Sequence, residues 1–459
     1  MLIDVIVDDK KNNKSNFAQV RLDVKELKKT YYLDLGFKPF LEKLSNINSK
    51  IALDFLFISS IIYISDKIIL RKFSKDNWTR DLKINIPVYN KRQWNLLKKE
   101  LENIISFLTG DIWKIDFFDL KIDLIRSIKK YKQIDIDSLG DKPKIVSFLS
   151  GGLDSYIHAI NWLESNKGNI FLVSHYDGSY SGVKSDQIKL LSHLKKYYPD
   201  RIVSCQSLIW QRNDQVKTSQ KDEVKFENSQ RGRSLLFIAM GILAANSIGD
   251  NVPVIIPENG NISLNYPLTP SRNGSCSTRT VHPYFISLIN QLLKKLGFEN
   301  RVSNPFEFQT KGEIVENCKN IKILKKTFKD STSCAKRGHK INWKNRNAKQ
   351  CGSCIPCIFR RVSLNKINLD LEDYGNDICI GDIDPKSRRE SSFDLRAVID
   401  VLNNNPSMNE IESKLIANGK LDIMKLSKYS ELVFKAFKEV QKFFKTKASE
   451  EIMREIKIN

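Results

Sequence analysis

A chain of 459 residues is too long for one ordinary domain, and 41% hydrophobic with 28% charged residues is the make-up of a folded chain, not a disordered one. The formal net charge of +22 is compatible with nucleic acid, an anionic membrane or an acidic protein as partner, but the lysines are scattered among many Asn and Ile, as on a solvated surface. No charged-then-apolar leader and no apolar run near the ~18–20 residues of a membrane span is visible, so no membrane location is expected and the cytoplasm is.

Runs rich in Ile, Val, Phe and Tyr at 2–7, 18–24, 52–64 and 82–89 read as strands. Residues 93–108 place Trp94, Leu96, Leu97, Leu101, Ile104, Ile105 and Leu108 on one helical face. The expected unit is an α+β N-terminal domain, 1–140, with no catalytic cluster and a scaffolding or partner-binding role. From Lys144 the pattern changes. Short strands at 144–149, 170–174, 201–205 and 252–256 alternate with helices at 154–164, 185–197 and 234–247, which is the order of a parallel sheet flanked by helices in an α/β domain, 141–365. The last part, 366–459, reads as mainly helical, with amphipathic stretches at 393–402 and 432–444.

Ser150, Gly151, Gly152, Leu153, Asp154 and Ser155 follow the first of these strands and open a helix. Glycines let the backbone approach an anion, helix N–H groups point at it, and the two serines add hydroxyl donors. Asp154 can hold the turn or a Mg²⁺ ion that bridges phosphates. The alternative is an ordinary Gly-rich turn capped by Asp154 or Ser155. The position at the carboxyl end of a strand favours the phosphate reading, and the missing Lys separates the loop from the Walker pattern of kinases and GTPases.

Cys334, Cys351, Cys354 and Cys357 hold two C-x-x-C steps that share Cys354, plus one distant thiol. In a chain without a secretion signal this spacing reads as a four-sulfur structural Zn²⁺ knot with no open position for water. His339 could replace one thiol, but four cysteines already fill the site. Cys205 reads as core packing. Cys276, in a polar loop, is weighed as a nucleophile and set below a packing role. Between Cys334 and Cys351, Lys336, Arg337, Lys340, Lys344, Arg346 and Lys349 make a basic loop suited to an acidic partner.

The hexapeptide at 150–155 resembles the signature of the PP-loop ATP pyrophosphatases. That resemblance implies a HUP-like parallel sheet, ATP with Mg²⁺ at the loop, cleavage between the α and β phosphates, and adenosine near Ser174, His175 and Tyr176. Further segments resemble the 7-cyano-7-deazaguanine synthases (QueC): Gly232 and Arg233 opening a long helix, Thr310-Lys311-Gly312-Glu313-Ile314-Val315 beside that family's Thr-Lys-Ala-Glu-Ile-Val, and Ser333-Cys334 with the later cysteines and Arg360. The match covers 144–362, about half of the chain.

On this reading Lys311 meets charge on the α-phosphate, Arg233 binds phosphate or a substrate carboxylate, Glu258 and Asn259 read a guanine-like edge, and Arg279 and His282 meet a carboxylate or phosphate. For Lys311 and Arg233 the alternative is a surface charge, and for Arg279 and His282 it is loop-ordering hydrogen bonds. The segments around Glu258 and Arg279 depart from the synthases. The added N- and C-terminal regions resemble instead the QueC-like proteins of bacterial anti-phage defence operons, such as QatC. The implied activity is that of a QueC-like ligase: adenylation of a 7-deazapurine-type carboxylate, then attack by an amine, with an operon-encoded protein as partner. A tRNA-modifying PP-loop enzyme and a non-catalytic nucleotide-binding adaptor are the alternatives, and nucleic acid is not the favoured partner.

Overall fold

The structure, a computed structural model, describes residues 1–8, 18–33, 35–44, 47–125, 141–165, 167–176, 181–207, 216–218, 225–227, 230–269 and 279–457. Cys276 lies outside the described residues. The chain begins with β1 (Leu2–Asp8), β2 (Gln19–Val24), β3 (Lys29–Leu33), α1 (Lys38–Leu41), α2 (Lys50–Ile68), β4 (Asp81–Val88), α3 (Lys91–Leu96), α4 (Lys98–Thr109) and β5 (Ile112–Asp119). Next come β6 (Ile145–Phe148), α5 (Leu153–Glu164), β7 (Ile170–His175), α6 (Ser181–Tyr197), β8 (Ile202–Ser207), β9 (Val216–Thr218), α7 (Arg233–Ile248), β10 (Val254–Ile255), α8 (Gly260–Leu264), α9 (Pro283–Lys295), β11 (Val302–Ser303), α10 (Lys311–Glu316) and α11 (Ile321–Thr327). The chain closes with α12 (Ile355–Asn365), α13 (Glu390–Asn404), α14 (Met408–Asn418), α15 (Leu426–Lys447) and α16 (Glu450–Glu455).

Alternate residues of β1 to β3 are buried, which is the mark of a sheet covered on one face. The first sheet has the order β5-β4-β1-β2-β3-β9, with β4 parallel to β1 and to β5, and antiparallel pairs from β1 to β9. Its buried face packs on α2. The run 52–64, expected as a strand, is instead the middle of this 19-residue helix, which Ser49 caps by accepting from the Ala52 N–H at 3.2 Å. The run is longer than the four to eight residues of a typical strand, and every residue from Ala52 to Ile68 is buried. A helix satisfies its own backbone, so it can be apolar on all sides and still sit in a core. The stretch 93–108 is helical as expected, but it breaks at Leu97 into α3 and α4.

The second sheet is fully parallel, in the order β11-β10-β6-β7-β8. Val146, Phe148, Phe171, Val173 and Val203 face the core that contains α7, whereas Ile145, Leu149, Ile170, Leu172 and Ile202 face α5 and α6. Chain order runs from β6 to β7 and β8 on one side, then returns to β10 and β11 on the other. The carboxyl ends of β6 and β10 therefore flank a topological switch point, where open α/β sheets bind ligands.

The flanking regions share the interior of this sheet. Helix α2 lies along α7, and one apolar core runs from Ile3 through both sheets to Val302. A buried ionic cluster accompanies that contact. Arg80 donates to Asp111 and Asp66, both at 2.5 Å, Arg71 donates to Asp111 at 2.8 Å, and the Gly232 N–H at the start of α7 donates to Asp66 at 3.2 Å. At the other end α12 to α16 form a second core, in which α15 packs on α8, α10 and α12. Among the described residues no helix is long and apolar enough to cross a membrane.

Asp66, Asp111 and Arg80 have side chains no more than 1% exposed, so removing the cation leaves buried carboxylates short of a partner. Arg80→Ala is expected to cost about 3–5 kcal/mol of stability in urea unfolding. A loss below about 1 kcal/mol would show that Arg71 alone compensates both carboxylates.

Candidate functional site

Strand β6 ends at Phe148, and the chain turns through Gly151 at φ +89°, a left-handed conformation that favours glycine, before Gly152 caps α5. Small hydrogen bonds give the loop its shape. Ser155 Oγ accepts from the Ser150 N–H (3.2 Å) and lies 3.0 Å from Ser150 Oγ, which accepts from the Gly152 N–H at 3.2 Å. Ser150 is exposed and Asp154 and Ser155 are buried, so the loop is open at its mouth and closed at its base. The first N–H groups of a helix have no acceptor within it, which makes this mouth suited to an anion.

Asp154 gathers the rest of the site from three other segments. Lys311 Nζ donates to Asp154 Oδ1, and both side chains are less than 10% exposed. Asn259 donates to Asp154 Oδ2 through its N–H (3.2 Å) and its Nδ2 (2.8 Å), and Nδ2 also reaches Glu258 Oε1 at 3.0 Å. Residues 258 and 259 follow β10, so the cluster stands at the switch point. Burial opposes the Asp154 charge, but the Lys311 ammonium and the hydrogen bonds hold its carboxyl below the usual range. Glu258 goes the other way: burial first, then the Asp154 charge, push it up to about 8.

The motif around Lys311 has a local cause. Thr310 caps α10 by accepting from the Glu313 N–H at 3.1 Å, and Glu313 accepts from the Thr310 N–H at 2.8 Å, a capping box that fixes Lys311 at the first helical position. Thr310 Oγ1 also donates to Glu439 of α15 at 2.8 Å. A Cβ on Gly312 would lie 2.6 Å from Lys366 Cδ and 2.7 Å from Glu439 Oε2, so the side chains of Lys366 and of Glu439 on α15 close over this position.

Ser174, His175 and Tyr176 end β7 beside the loop. The Ser174 hydroxyl donates to the Leu149 carbonyl at 2.8 Å, His175 packs on Tyr63 and Phe237, and Tyr176 is partly exposed beneath Lys184. The Arg233 guanidinium lies over Phe237 at 5.2 Å, and Phe237 stacks on Phe148 at the end of β6. Among the described residues no carboxylate lies within ion-pair reach of Arg233.

Arg279 and His282 are not brought to Asp154. Arg279 donates to the Phe107 carbonyl (2.6 Å) and the Asn418 carbonyl (3.1 Å), tying α4 to the end of α14. His282 caps α9 by accepting from the Tyr284 N–H at 3.2 Å, and burial, aided by Arg279, lowers its pKa to about 3. These are loop-ordering contacts. Asn259 also departs from the expected role of reading a base edge, because its Nδ2 serves two carboxylates and its Oδ1 accepts from the Ile262 N–H at 3.0 Å to cap α8.

The four predicted metal ligands do meet. The sulfur atoms of Cys334, Cys351, Cys354 and Cys357 all lie within 4.8 Å of one another, and Cys351 Sγ is 3.8 Å from Cys357 Sγ. A tetrahedral zinc with Zn–S bonds near 2.3 Å sets sulfurs about 3.8 Å apart, so the donor set fits the ion in chemistry and size. His339 is exposed and outside the cluster. Backbone N–H groups of Cys351 and Cys354 donate to Cys334 Sγ and Cys351 Sγ, each at 3.3 Å, as an electron-rich thiolate requires. The basic loop between the ligands is tied inward, with Lys336 on Asp394 (3.3 Å), Lys344 on Asp382 (3.2 Å), and Arg337 and Lys349 on Asp186.

Sequence reasoning missed Asp186, Gln187, Asn304 and Thr332. Asn304 braces Glu258 by accepting from its N–H (3.2 Å) and donating to its carbonyl (2.7 Å), and Gln187 donates to the His175 carbonyl at 2.9 Å. None of these residues belongs to a spaced motif that would have marked it. Comparison with family models, with curated proteins and with solved structures finds no match to this chain.

Elemental analysis is expected to find about one Zn²⁺ per folded chain, and Cys354→Ser to lose both the metal and soluble yield. Folded protein that contains no zinc would contradict the assignment.

Proposed function

We propose that the chain binds ATP with Mg²⁺ at the loop 150–155, joins AMP to a carboxylate of the 7-deazapurine type, and passes the acyl group to an amine. In the first step a carboxylate oxygen attacks the α-phosphorus, the bond to the bridging oxygen breaks, and pyrophosphate leaves. In the second step the amine nitrogen attacks the acyl carbon, AMP leaves with its oxygen, and the amine gives up a proton. The observation that carries the reading is the cluster of buried Asp154, Lys311 and Asn259 with half-buried Glu258, beside a glycine loop at the sheet's switch point.

Each residue has a task that follows from its place. The loop N–H groups and Ser150 receive the outer phosphates. Lys311 stands ready to stabilise charge that grows as pyrophosphate departs, the form of catalysis in which preorganised cations contribute most. Asp154 and Glu258 offer the carboxylate oxygens that Mg²⁺ prefers, and Asn259 fixes their spacing. Bound there, the ion would draw charge off the phosphate oxygens. Arg233, lying over Phe237 without a carboxylate partner among the described residues, is available to an anionic group of either substrate. The resemblance to QueC-like proteins of defence operons extends the proposal to an antiviral setting with a protein partner.

Incubation with ATP and Mg²⁺, with and without 7-carboxy-7-deazaguanine, is expected to yield AMP and pyrophosphate. Asp154→Asn and Lys311→Met should each slow that release by about 100-fold or more in folded protein. Formation of ADP and phosphate would point to a different reaction.

The Glu258 proton gives a second test. Between its ordinary value of 4.5 and about 8 the folded chain keeps a proton that the unfolded chain has lost, so metal-free stability falls as pH rises through that window. A cation held by Asp154 and Glu258 displaces the proton, so Mg²⁺ should bind more tightly at pH 8 than at pH 6 in calorimetry, and Glu258→Gln should flatten the difference. Affinity independent of pH in the parent protein would remove Glu258 from the metal site.

A further inference from the structure

The phosphate loop and the four-cysteine knot are far apart in sequence but share a wall. Thr332, two residues before Cys334, donates its N–H to the Gly151 carbonyl at 2.9 Å. Its neighbours are held from both sides: the Ser333 N–H donates to Gln350 Oε1 at 3.0 Å, and Ser331 Oγ accepts from Arg360 of α12 at 2.9 Å. On the opposite side of the loop lies α6. A Cβ built on Gly151 would lie 3.5 Å from the Cβ of Asp186 and 3.5 Å from Cγ of Gln187.

Asp186 is the unusual member of this wall. Its carboxylate is 4% exposed and close to the anion site, and two cations of the metal-closed segment neutralise it: Arg337, through Nη1, and Lys349 at 3.0 Å. Gly182 on the first turn of α6 leaves room for the Arg337 guanidinium, because a Cβ there would lie 2.3 Å from its Cζ. Lys349 is fixed further by donating to the Asp330 carbonyl at 2.6 Å. Without these cations the carboxylate would repel a bound phosphate across a short, partly buried path.

We propose that Asp186, Arg337 and Lys349 are positioning residues that couple the metal knot to the phosphate loop, so that metal and nucleotide bind cooperatively. The proposal rests on the reading of 150–155 as a nucleotide site. Closing the segment between Cys334 and Cys351 on a metal holds Arg337 and Lys349 on Asp186, which cancels the adverse charge and backs the glycine turn. Opening it frees both cations and leaves Asp186 facing the anion. Because coupling between two binding equilibria is reciprocal, nucleotide must in turn hold the metal.

The test uses full-length, zinc-loaded protein and α,β-methylene ATP with excess Mg²⁺. Analogue binding is measured by calorimetry, and zinc affinity by equilibrium competition with a chromogenic chelator in the presence and absence of saturating analogue. In the parent protein the analogue should tighten zinc binding at least about five-fold, the lower end of typical coupling between sites. Asp186→Asn should still bind zinc and analogue separately but hold zinc with the same affinity with and without analogue. Arg337→Gln, whose side chain is 22% exposed, should do the same and serves if Asp186→Asn does not fold. Failure of the parent to bind the analogue would overturn the nucleotide reading and this inference together. Binding with no effect on zinc affinity would overturn the coupling alone, and tightening that persists in both variants would remove these residues from it.

Discussion

A carboxylate placed at the first turn of a buried helix must be neutralised where it stands, and much of the molecule is arranged around how Asp154 meets that demand. Its partner, Lys311, comes from a segment more than 150 residues away. A lysine held at that distance in sequence needs a rigid base, which the Thr310 and Glu313 capping box supplies. The base in turn leans on α15, through Glu439 on Thr310 and Lys435 on Glu313. Gly260 shows how close this packing is: a Cβ there would lie 2.2 Å from the Glu307 carbonyl oxygen and 2.4 Å from Leu432. The C-terminal helices thus brace the residues that face the loop.

The N-terminal sheet supports the same centre from the other side. Helix α2, buried on all sides, lies along α7 in the core shared with the first sheet, and Asp66 on its last turn accepts from the N–H that precedes Arg233. The +22 charge does not gather in one functional loop. The basic segment between Cys334 and Cys351, with the look of a docking surface in the sequence, turns most of its cations toward internal carboxylates. Two of them, Arg337 and Lys349, meet on Asp186 beside the loop 150–155.

Several parts of this arrangement were legible before any coordinates. The four cysteines are a signal in which residue type and spacing both answer to one chemistry, and such signals survive in a sequence, while the loop at 150–155 was legible as a turn from a strand into a helix. The parallel sheet was legible because short apolar runs alternate with helical stretches. The run 52–64 misled because Ile and Phe suit a buried helix as well as a strand, and only its length separates the two. β11, only two residues long, carries too little pattern to define, and of the run expected as a strand at 252–256 only Val254 and Ile255 pair as β10. The contacts of Arg279 and His282 show the limit for lone polar residues in loops: capping a helix and binding a ligand draw on the same side chains. Asp186 was invisible for a related reason, since its partners lie about 150 residues away and nothing near it in sequence announces them.

The central claim is that Asp154 and its neighbours receive a nucleotide through a metal ion at the switch point of the parallel sheet. A crystal grown with α,β-methylene ATP and Mn²⁺, with anomalous diffraction used to locate the metal, tests it most directly. The account predicts an anomalous peak between Asp154 and Glu258, with the β- and γ-phosphates against the backbone of 151–155 and Lys311 turned toward the α-phosphate. Analogue bound elsewhere, or a loop without phosphate and an unaltered Asp154–Lys311 pair at saturating analogue, would contradict it.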